Sequence, residues 1–359
     1  MGSGTDVAVP DPIDWSTARR VARFVAGRDA LSDSYLGASI HDDFSALTVR
    51  AEDLVAEFTG LRPPGRVAAE VLDRKGWVDA NIDSMRRLLE PLMHRVGARM
   101  AHSPFAPLGR QIAATEMGGL VGYLSQRVLG QYDLLVPEED TGDAVYYVGP
   151  NILALEKRFA FRPLDFRFWI AIHEVTHRAQ FAGVPWMRAH FFSLVQQAFA
   201  VVDPDPSTLA RAISKALDEV RRGRNPLDDG GIVGLFASEE QKGAIAQVQA
   251  LMSLLEGHGN VVMSELGRRH VAGEERMARI LHQRRHARGI TGQLHKLLGL
   301  EQKLRQYEIG ERFVHRVVDR GGFPALDRVW DAPENLPTST EIDDPDAWFA
   351  RVTPRHAVG

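Results

Sequence analysis

The chain has 359 residues, of which 44% are hydrophobic and 25% are charged, and its formal net charge is −4. This composition is typical of a globular protein with a sizeable core, and it argues against a dedicated nucleic-acid binder, which would carry a basic excess. The sequence contains no cysteine. Disulfides, thiolate metal sites and thiol nucleophiles are therefore excluded, and any metal must be held by histidines and carboxylates.

Residues 1–12 are small and polar and include two prolines, so we predict that they are disordered. They lack the basic segment and the following apolar segment of a signal peptide. No apolar run approaches the roughly 18 residues that a membrane span needs. We therefore expect a cytoplasmic protein without a membrane partner.

Helical spacing of apolar residues dominates the rest of the chain. The predicted helices span 14–28, 45–61, 65–96, 110–129, 166–182, 186–200, 207–222, 238–266, 272–287 and 291–317. Asp14 or Ser16 can cap the first helix. Gly118, Gly119 and Gly122 indicate close packing of the helix that contains them.

Strand signals are sparse. The best is DAVYYVGPN at 143–151, which is rich in β-branched and aromatic residues and ends at Gly-Pro, and GGIVGLF at 230–236 is weaker. We predict one mainly α (α+β) domain over 13–348 with a small sheet, followed by a flexible tail at 349–359.

The most informative stretch is FWIAIHEVTHRAQF at 168–181. We predict a helix from about Phe166, capped by Asp165, that stops before Gly183 and Pro185. Apolar residues lie on nearly all of its sides. Such a helix is buried, so we expect it at the centre of the fold.

This helix carries the pattern H-E-x-x-H at His173, Glu174 and His177. Residues four apart on a helix lie about 40° apart and about 6 Å along the axis, so both imidazoles face one side, as two ligands of a tetrahedral Zn²⁺ do. Glu174 lies about 100° further round, where it can act as a general base on a metal-bound water. The alternative is two hydrogen-bonded histidines in a core helix, but three buried ionisable groups are costly unless paired or metal-bound. Gln180 shares the histidine stripe and is predicted to support the site by hydrogen bonding.

A catalytic zinc needs a third protein ligand, and the long-spacer histidine motif H-E-x-x-H-x-x-G-x-x-H is absent. The strongest candidate stretch is SLLEGHGNVVMSEL at 253–266, in a helix that Ser238 and Gln241 start as a capping box. Glu256 is the favoured ligand and His258 is its rival. The two side chains point about 200° apart on a regular helix, so both cannot bind the metal.

Polar and small residues beside Glu256 fit this interpretation. Asn260 lies one turn further on, where its side chain can accept a hydrogen bond from a zinc histidine and hold the tautomer of that ring. Gly257 and Gly259 weaken a helix, and we expect them to allow close approach to the 166–182 helix.

A metallohydrolase also needs a hydrogen-bond donor for the developing oxyanion. The candidates are His258, Tyr307 and Arg305, in falling order of preference. For each of them the alternative is a structural hydrogen bond or plain packing.

Several stretches together resemble one bacterial family. They are DFRFWIAIHEVTHRAQF, MSLLEGHGNVVM, LSQRVLGQYDLLVP, LLGLEQKLRQYEIGERF and PENLPTSTEIDDPDAWFARV. The family comprises zincin-type zinc-dependent metalloproteases or hydrolases, one branch of which is associated with biosynthesis of the deazaflavin coenzyme. The resemblance covers the chain from about 110 to 350. It implies a zincin-like, mainly helical fold with His173, His177 and Glu256 on the metal.

The leading hypothesis is therefore a zinc metallopeptidase with a peptide or protein substrate and no nucleic-acid partner. Glu174 is its expected general base. The alternative is a zincin-fold binding or regulatory factor whose zinc is structural, possible if a fourth protein ligand closes the metal shell. The sequence does not indicate the oligomeric state.

Overall fold

The structure is a computed structural model that describes residues 11–28, 37–100, 106–134, 144–198, 238–286 and 300–353. Within these residues helices predominate and three short strands form one sheet. The predicted mainly α fold with a small sheet is therefore confirmed. Disorder was predicted for residues 1–12, of which residues 1–10 lie outside the described residues, whereas Pro12 is described and buried. The elements predicted at 207–222 and 230–236 also lie outside the described residues. None of the described helices is long and apolar enough to cross a membrane.

The described helices are α1 (Trp15–Ala26), α2 (Ile40–Thr59), α3 (Arg74–Met100), α4 (Ala106–Ser125), α5 (Gly149–Phe159), α6 (Pro163–Ala182), α7 (Met187–Ala198), α8 (Glu239–His270), α9 (Glu274–His286), α10 (Leu300–Gly321), α11 (Phe323–Leu326) and α12 (Pro345–Val352). The strands are β1 (Ala68–Leu72), β2 (Gly130–Tyr132) and β3 (Ala144–Val148). Two 3₁₀ turns, Asp327–Trp330 and Pro333–Asn335, connect α11 towards α12.

The chain forms two compact units. Unit 1 comprises Met1–Ala179 and Leu266–Glu274, and unit 2 comprises Gln180–Glu265 and Glu275–Gly359. The boundaries between them fall inside α6 and α8, so both of these helices contribute residues to each unit. The prediction of a single domain over 13–348 stays a prediction.

In unit 1, α1 begins where the sequence predicts, because the Asp14 side chain accepts a hydrogen bond from the backbone N–H of Thr17 at 3.1 Å. Helix α4 packs closely against it. A Cβ added to Gly118 would lie 2.4 Å from the Ala18 carbonyl oxygen, so only glycine fits there. Gly122 makes a similar approach, whereas a Cβ on Gly119 would meet nothing within 4 Å. The predicted close packing thus involves two of the three glycines.

The sheet has the order β1-β3-β2, with β1 parallel and β2 antiparallel to β3. Strand β3 confirms the strand predicted at 143–151. Strand β1 corrects the helix predicted from residue 65, since the helix-favouring residues of AAEVL are overridden by pairing with β3. The sequence also missed β2, which is only three residues long, and α5, whose first turn contains Pro150.

Helix α6 begins at Pro163 and ends at Ala182, just before Gly183 as predicted. Its start lies three residues ahead of the predicted one, so Asp165 sits in the first turn instead of capping the helix. Most of the side chains of α6 are buried, and Phe166 is fully buried. The buried character predicted from its apolar sides is confirmed.

Two buried arginines attach α6 to the rest of unit 1. Arg167 donates to both carboxylate oxygens of Glu156, at 2.8 and 2.9 Å, and also pairs with Asp43. Arg178 donates to Glu52 at 2.8 Å and to the Pro64 carbonyl oxygen at 2.8 Å. Because Arg178 directly follows His177 in the sequence, this second attachment fixes the helical turn that carries both histidines.

In unit 2, α8 begins with the predicted capping box, in which Ser238 and Gln241 exchange side-chain to backbone hydrogen bonds of 2.9 and 3.1 Å. One glycine of α8 lies at a close contact between helices. A Cβ on Gly257 would lie 2.2 Å from the carbonyl carbon of Gly310, so Gly257 permits close contact with α10. That Gly257 and Gly259 allow close approach to the 166–182 helix stays a prediction.

The end of unit 2 is ordered beyond the predicted boundary. Helix α12 runs through Val352, so the flexibility predicted from residue 349 is wrong for the start of that tail, and residues 354–359 lie outside the described residues. Trp348 explains this order, because it is fully buried against Phe313 with ring centroids 5.4 Å apart. Its indole N–H also donates to the Asn335 carbonyl oxygen at 2.7 Å.

Candidate metal centre

The two histidines of the H-E-x-x-H pattern converge on one side of α6. The Nε2 atoms of His173 and His177 lie 3.1 Å apart, and their half-buried rings are nearly perpendicular, at 83°. Two nitrogen ligands about 2.0–2.1 Å from a tetrahedral zinc would lie about 3.3 Å apart. The same spacing also suits a hydrogen bond between the rings, so it fits a metal pair without by itself requiring one.

Glu174 is only 7% exposed, and β2 passes directly over it. A Cβ added to Gly130 would lie 2.5 Å from Glu174 Cγ and 2.7 Å from both Cδ and Oε1. Glycine is therefore the residue that lets the strand backbone approach this carboxylate. The sequence alone does not distinguish Gly130 from the other glycines, because β2 is too short to be predicted.

The backbone of Gly130 lies at the outer edge of the sheet. Val148 donates to the Leu129 carbonyl oxygen at 2.8 Å, and Asp133 donates to the Ala144 carbonyl oxygen at 3.0 Å. Because hydrogen-bonded pairs alternate along an antiparallel ladder, the N–H and C=O groups of Gly130 point away from β3. Among the described strands none pairs with that edge of β2.

A buried tyrosine lies across the sheet from Gly130. Tyr147 pairs in register with Gly130 and is hydrogen-bonded to the Thr48 hydroxyl at 2.8 Å. Burial raises the pKa of the Tyr147 phenol, and the negative charges of Glu174 and Glu52 raise it further. Tyr147 therefore stays a neutral hydroxyl in this part of unit 1.

Glu256, the predicted third ligand, belongs to a group of side chains that could hold a metal ion. One ligand atom from each of His173, His177 and Glu256 lies within 4.8 Å of the others, and all three residues are half-buried. Two imidazoles and one carboxylate are a donor set that suits catalytic zinc. No further histidine, aspartate or glutamate of the described residues joins this group. The donor chemistry therefore fits a zinc ion with three protein ligands.

His258, the rival ligand, makes other contacts. It is 2% exposed, and its Nδ1 lies 2.9 Å from the amide nitrogen of Gln180. That amide nitrogen also donates to the Leu255 carbonyl oxygen at 2.9 Å. The other predicted role for His258, that of a donor, stays open at this point.

The remaining predicted residues have different outcomes. Asn260 is buried at 6% exposure, and its side-chain oxygen accepts no hydrogen bond from the described residues. The predicted bond from a zinc histidine is therefore absent among the described residues. Tyr307 and Arg305 belong to α10, but their side chains lie outside the described part of the chain.

A cavity of about 390 Å³ in unit 2 lies apart from these residues. Its walls come from α7, α8 and the segment from Pro333 to Arg351. None of the predicted site residues lines it. Burial lowers the pKa of His190 on the α7 side, which favours a neutral ring there.

A mainly helical chain with H-E-x-x-H on a buried helix has the features of the zincins. Comparison with known proteins agrees, because residues 13–349 match the family described as zincin-like metallopeptidase. The chain therefore belongs to the zincin-like metallopeptidase family, as the sequence resemblance implied.

A solved structure from Chloroflexus aurantiacus, described as a candidate hydrolase with a novel fold, is similar to this chain. The two are 32% identical with a TM-score of 0.69, and the match covers 94% of this chain and 98% of that one. No curated protein matches the chain.

Proposed function

We propose that the protein is a zinc-dependent hydrolase that cleaves peptide bonds. The observation that carries this proposal is the arrangement on α6, where the His173 and His177 nitrogens lie 3.1 Å apart beside the buried carboxylate of Glu174. Family membership supports the same class of activity.

His173, His177 and Glu256 would hold the zinc ion. Their ligand atoms are close enough together to do so, and no fourth acidic or histidine ligand among the described residues joins them. This favours a catalytic over a structural zinc, because structural sites are closed by four protein ligands. When bound, zinc acts as a Lewis acid that activates water and polarises a carbonyl group.

Glu174 is the proposed general base. Its carboxylate accepts a proton from the attacking water and then returns the proton to the nitrogen of the leaving amine. A carboxylate one residue from His173 on the same helix can reach such a water without binding the metal itself. Burial under Gly130 holds the Glu174 side chain in place for this task.

The outer edge of β2 is the proposed docking site for the substrate backbone. Gly130 directs its N–H and C=O groups to that edge and lies against Glu174. An extended peptide can add to such an edge through backbone hydrogen bonds. This placement would bring a scissile bond near the general base while leaving side-chain preference to other parts of the site.

His258 is the proposed donor to the carbonyl oxygen of the substrate, with Tyr307 as the second candidate. A fixed donor aimed at the developing oxyanion contributes about 100-fold to 1000-fold to the rate of acyl transfer. His258 is well held for such a role, because its ring is buried and packs against Trp330 with centroids 5.1 Å apart.

The test is a comparison of Glu174→Gln with Glu116→Gln, which makes the same change at an exposed position of α4. Both proteins should bind one zinc per chain by elemental analysis, since neither residue is a proposed ligand. Hydrolysis of a peptide library, read by mass spectrometry, should be lost only in Glu174→Gln. Equal cleavage by both variants would reject Glu174 as the base, and a zinc-loaded wild-type protein that cleaves no peptide would favour a structural zinc.

A further inference from the structure

Gln180 connects the helix of the metal histidines to the helix turn that carries Glu256. Its side chain is fully buried, three residues after His177 on α6. The amide nitrogen lies 2.9 Å from the Leu255 carbonyl oxygen and 2.9 Å from His258 Nδ1. These two partners flank Glu256 in the sequence of α8.

The chemistry of the first partner fixes the orientation of the Gln180 amide. A backbone carbonyl oxygen can only accept a hydrogen bond, so the group that faces Leu255 must be the NH₂ of Gln180 and not its oxygen. The same NH₂ then presents its second hydrogen to His258 Nδ1. An Nδ1 atom that accepts a hydrogen bond carries no proton, so a neutral His258 ring must carry its proton on Nε2.

The packing around His258 disfavours the flipped orientation of its ring. His258 is 2% exposed and meets Trp330 edge to face, at an interplanar angle of 70°. A ring flip would move the histidine carbons to the position opposite the Gln180 NH₂, leaving a buried donor with one partner fewer, which is costly. The observed ring orientation and the Nε2–H tautomer therefore support each other.

We propose that Gln180 is a positioning residue that holds His258 as the neutral Nε2–H tautomer, so that His258 serves the site as a hydrogen-bond donor and not as an Nδ1 metal ligand. The assignment of a substrate carbonyl oxygen as the acceptor of that hydrogen bond rests on the proposed function. The tautomer itself does not, because it follows from the contacts of Gln180 alone.

The tautomer can be read directly by nuclear magnetic resonance. Zinc-loaded full-length protein with ¹⁵N-labelled histidine is used, and the His258→Gln variant identifies the His258 signals. Wild type should show a protonated Nε2 and an unprotonated Nδ1. Gln180→Met, which removes the donor at similar size, should give a mixture of tautomers. Gln180→Glu, which presents an acceptor, should move the proton to Nδ1.

Thr176→Val is the matched control, because it deletes another buried hydrogen bond on α6, from the Thr176 hydroxyl to the Ile172 carbonyl oxygen at 2.7 Å. It should leave the His258 tautomer unchanged. A wild-type His258 protonated on Nδ1 would overturn the proposal even if the Gln180 variants fail to fold. So would a proton that stays on Nε2 in folded Gln180→Glu.

Kinetics separate this inference from the proposed function. If wild type cleaves peptides, Gln180→Met should lower kcat about 10-fold to 100-fold with little change in KM. The same spectrum is recorded for Glu174→Gln, where the Nε2–H tautomer should persist without activity. An intact tautomer in a wild-type protein that cleaves nothing would reject the proposed function alone, whereas active wild type with an Nδ1–H ring would reject only the role of Gln180.

Discussion

Replacing Gly130 by alanine tests whether β2 holds the proposed general base in place. The added Cβ would lie 2.5 Å from Glu174 Cγ and 2.7 Å from Cδ and Oε1. Ordinary contact between such atoms begins near 3.4 Å, so the carboxylate must move by about 1 Å. A misplacement of about 1 Å can lower a rate about 100-fold. We therefore expect kcat to fall by about that factor.

Metal binding should be nearly unaffected by Gly130→Ala, whereas the forced shift of the buried Glu174 side chain should cost about 1–3 kcal/mol of stability. The three heavy atoms nearest to the added Cβ all belong to Glu174, which is not a proposed zinc ligand. Gly119→Ala is the control, because a Cβ there meets nothing within 4 Å. Peptide cleavage, zinc content and thermal unfolding are measured on both proteins. A Gly130→Ala variant that retains full activity would show that the position of Glu174 under β2 does not matter for catalysis.

Three further predictions concern stability. Gly310→Ala places a Cβ 1.8 Å from a facing carbonyl oxygen, so denaturant unfolding should reveal a loss of about 3 kcal/mol or more, whereas Gly243→Ala, which meets nothing, should not destabilise. Arg178→Met removes the buried cation beside Glu52, leaves only the half-exposed Arg66 to pair with this carboxylate, and should cost about 3 kcal/mol. Adding Glu52→Gln to that variant should recover part of the loss, and no recovery would argue against a buried charge effect. Burial and a nearby carboxylate raise the pKa of Asp327 from 3.8 to about 6. Ionisation of Asp327 therefore lowers the free energy of unfolding as the pH rises from 3.8 to about 6. After allowance for screening by solvent, Asp327→Asn should stabilise the protein by about 1 kcal/mol at pH 7 but not at pH 4. Equal gains at both pH values would contradict the titration.

The sequence predicted the parts of the fold that local signals encode. Apolar residues on nearly all sides and a stop at Gly183 predict helix α6. The capping box at Ser238 and Gln241 predicts the start of α8. Strand β1 could not be predicted in the same way, because AAEVL favours a helix until β3 is available as a pairing partner. Helix α5 was missed because Gly-Pro was interpreted only as the end of a strand.

The residues of the candidate site also differ in whether the sequence alone reveals them. The H-E-x-x-H spacing depends only on helix geometry, so His173, Glu174 and His177 could be read from the sequence alone. Gly130 could not be, since its role depends on where β2 crosses α6. The contact of Gly257 with α10 could not be predicted either, because several helices could equally have met this glycine and only the structure identifies Gly310 as its nearest neighbour.

The most direct test of the account is a crystal structure of the purified protein with anomalous data collected on both sides of the zinc absorption edge, together with elemental analysis. We predict one zinc ion per chain, bound by His173, His177 and Glu256 and by no fourth protein ligand. Metal-free protein, or a zinc ion bound by His258 in place of Glu256, would contradict it.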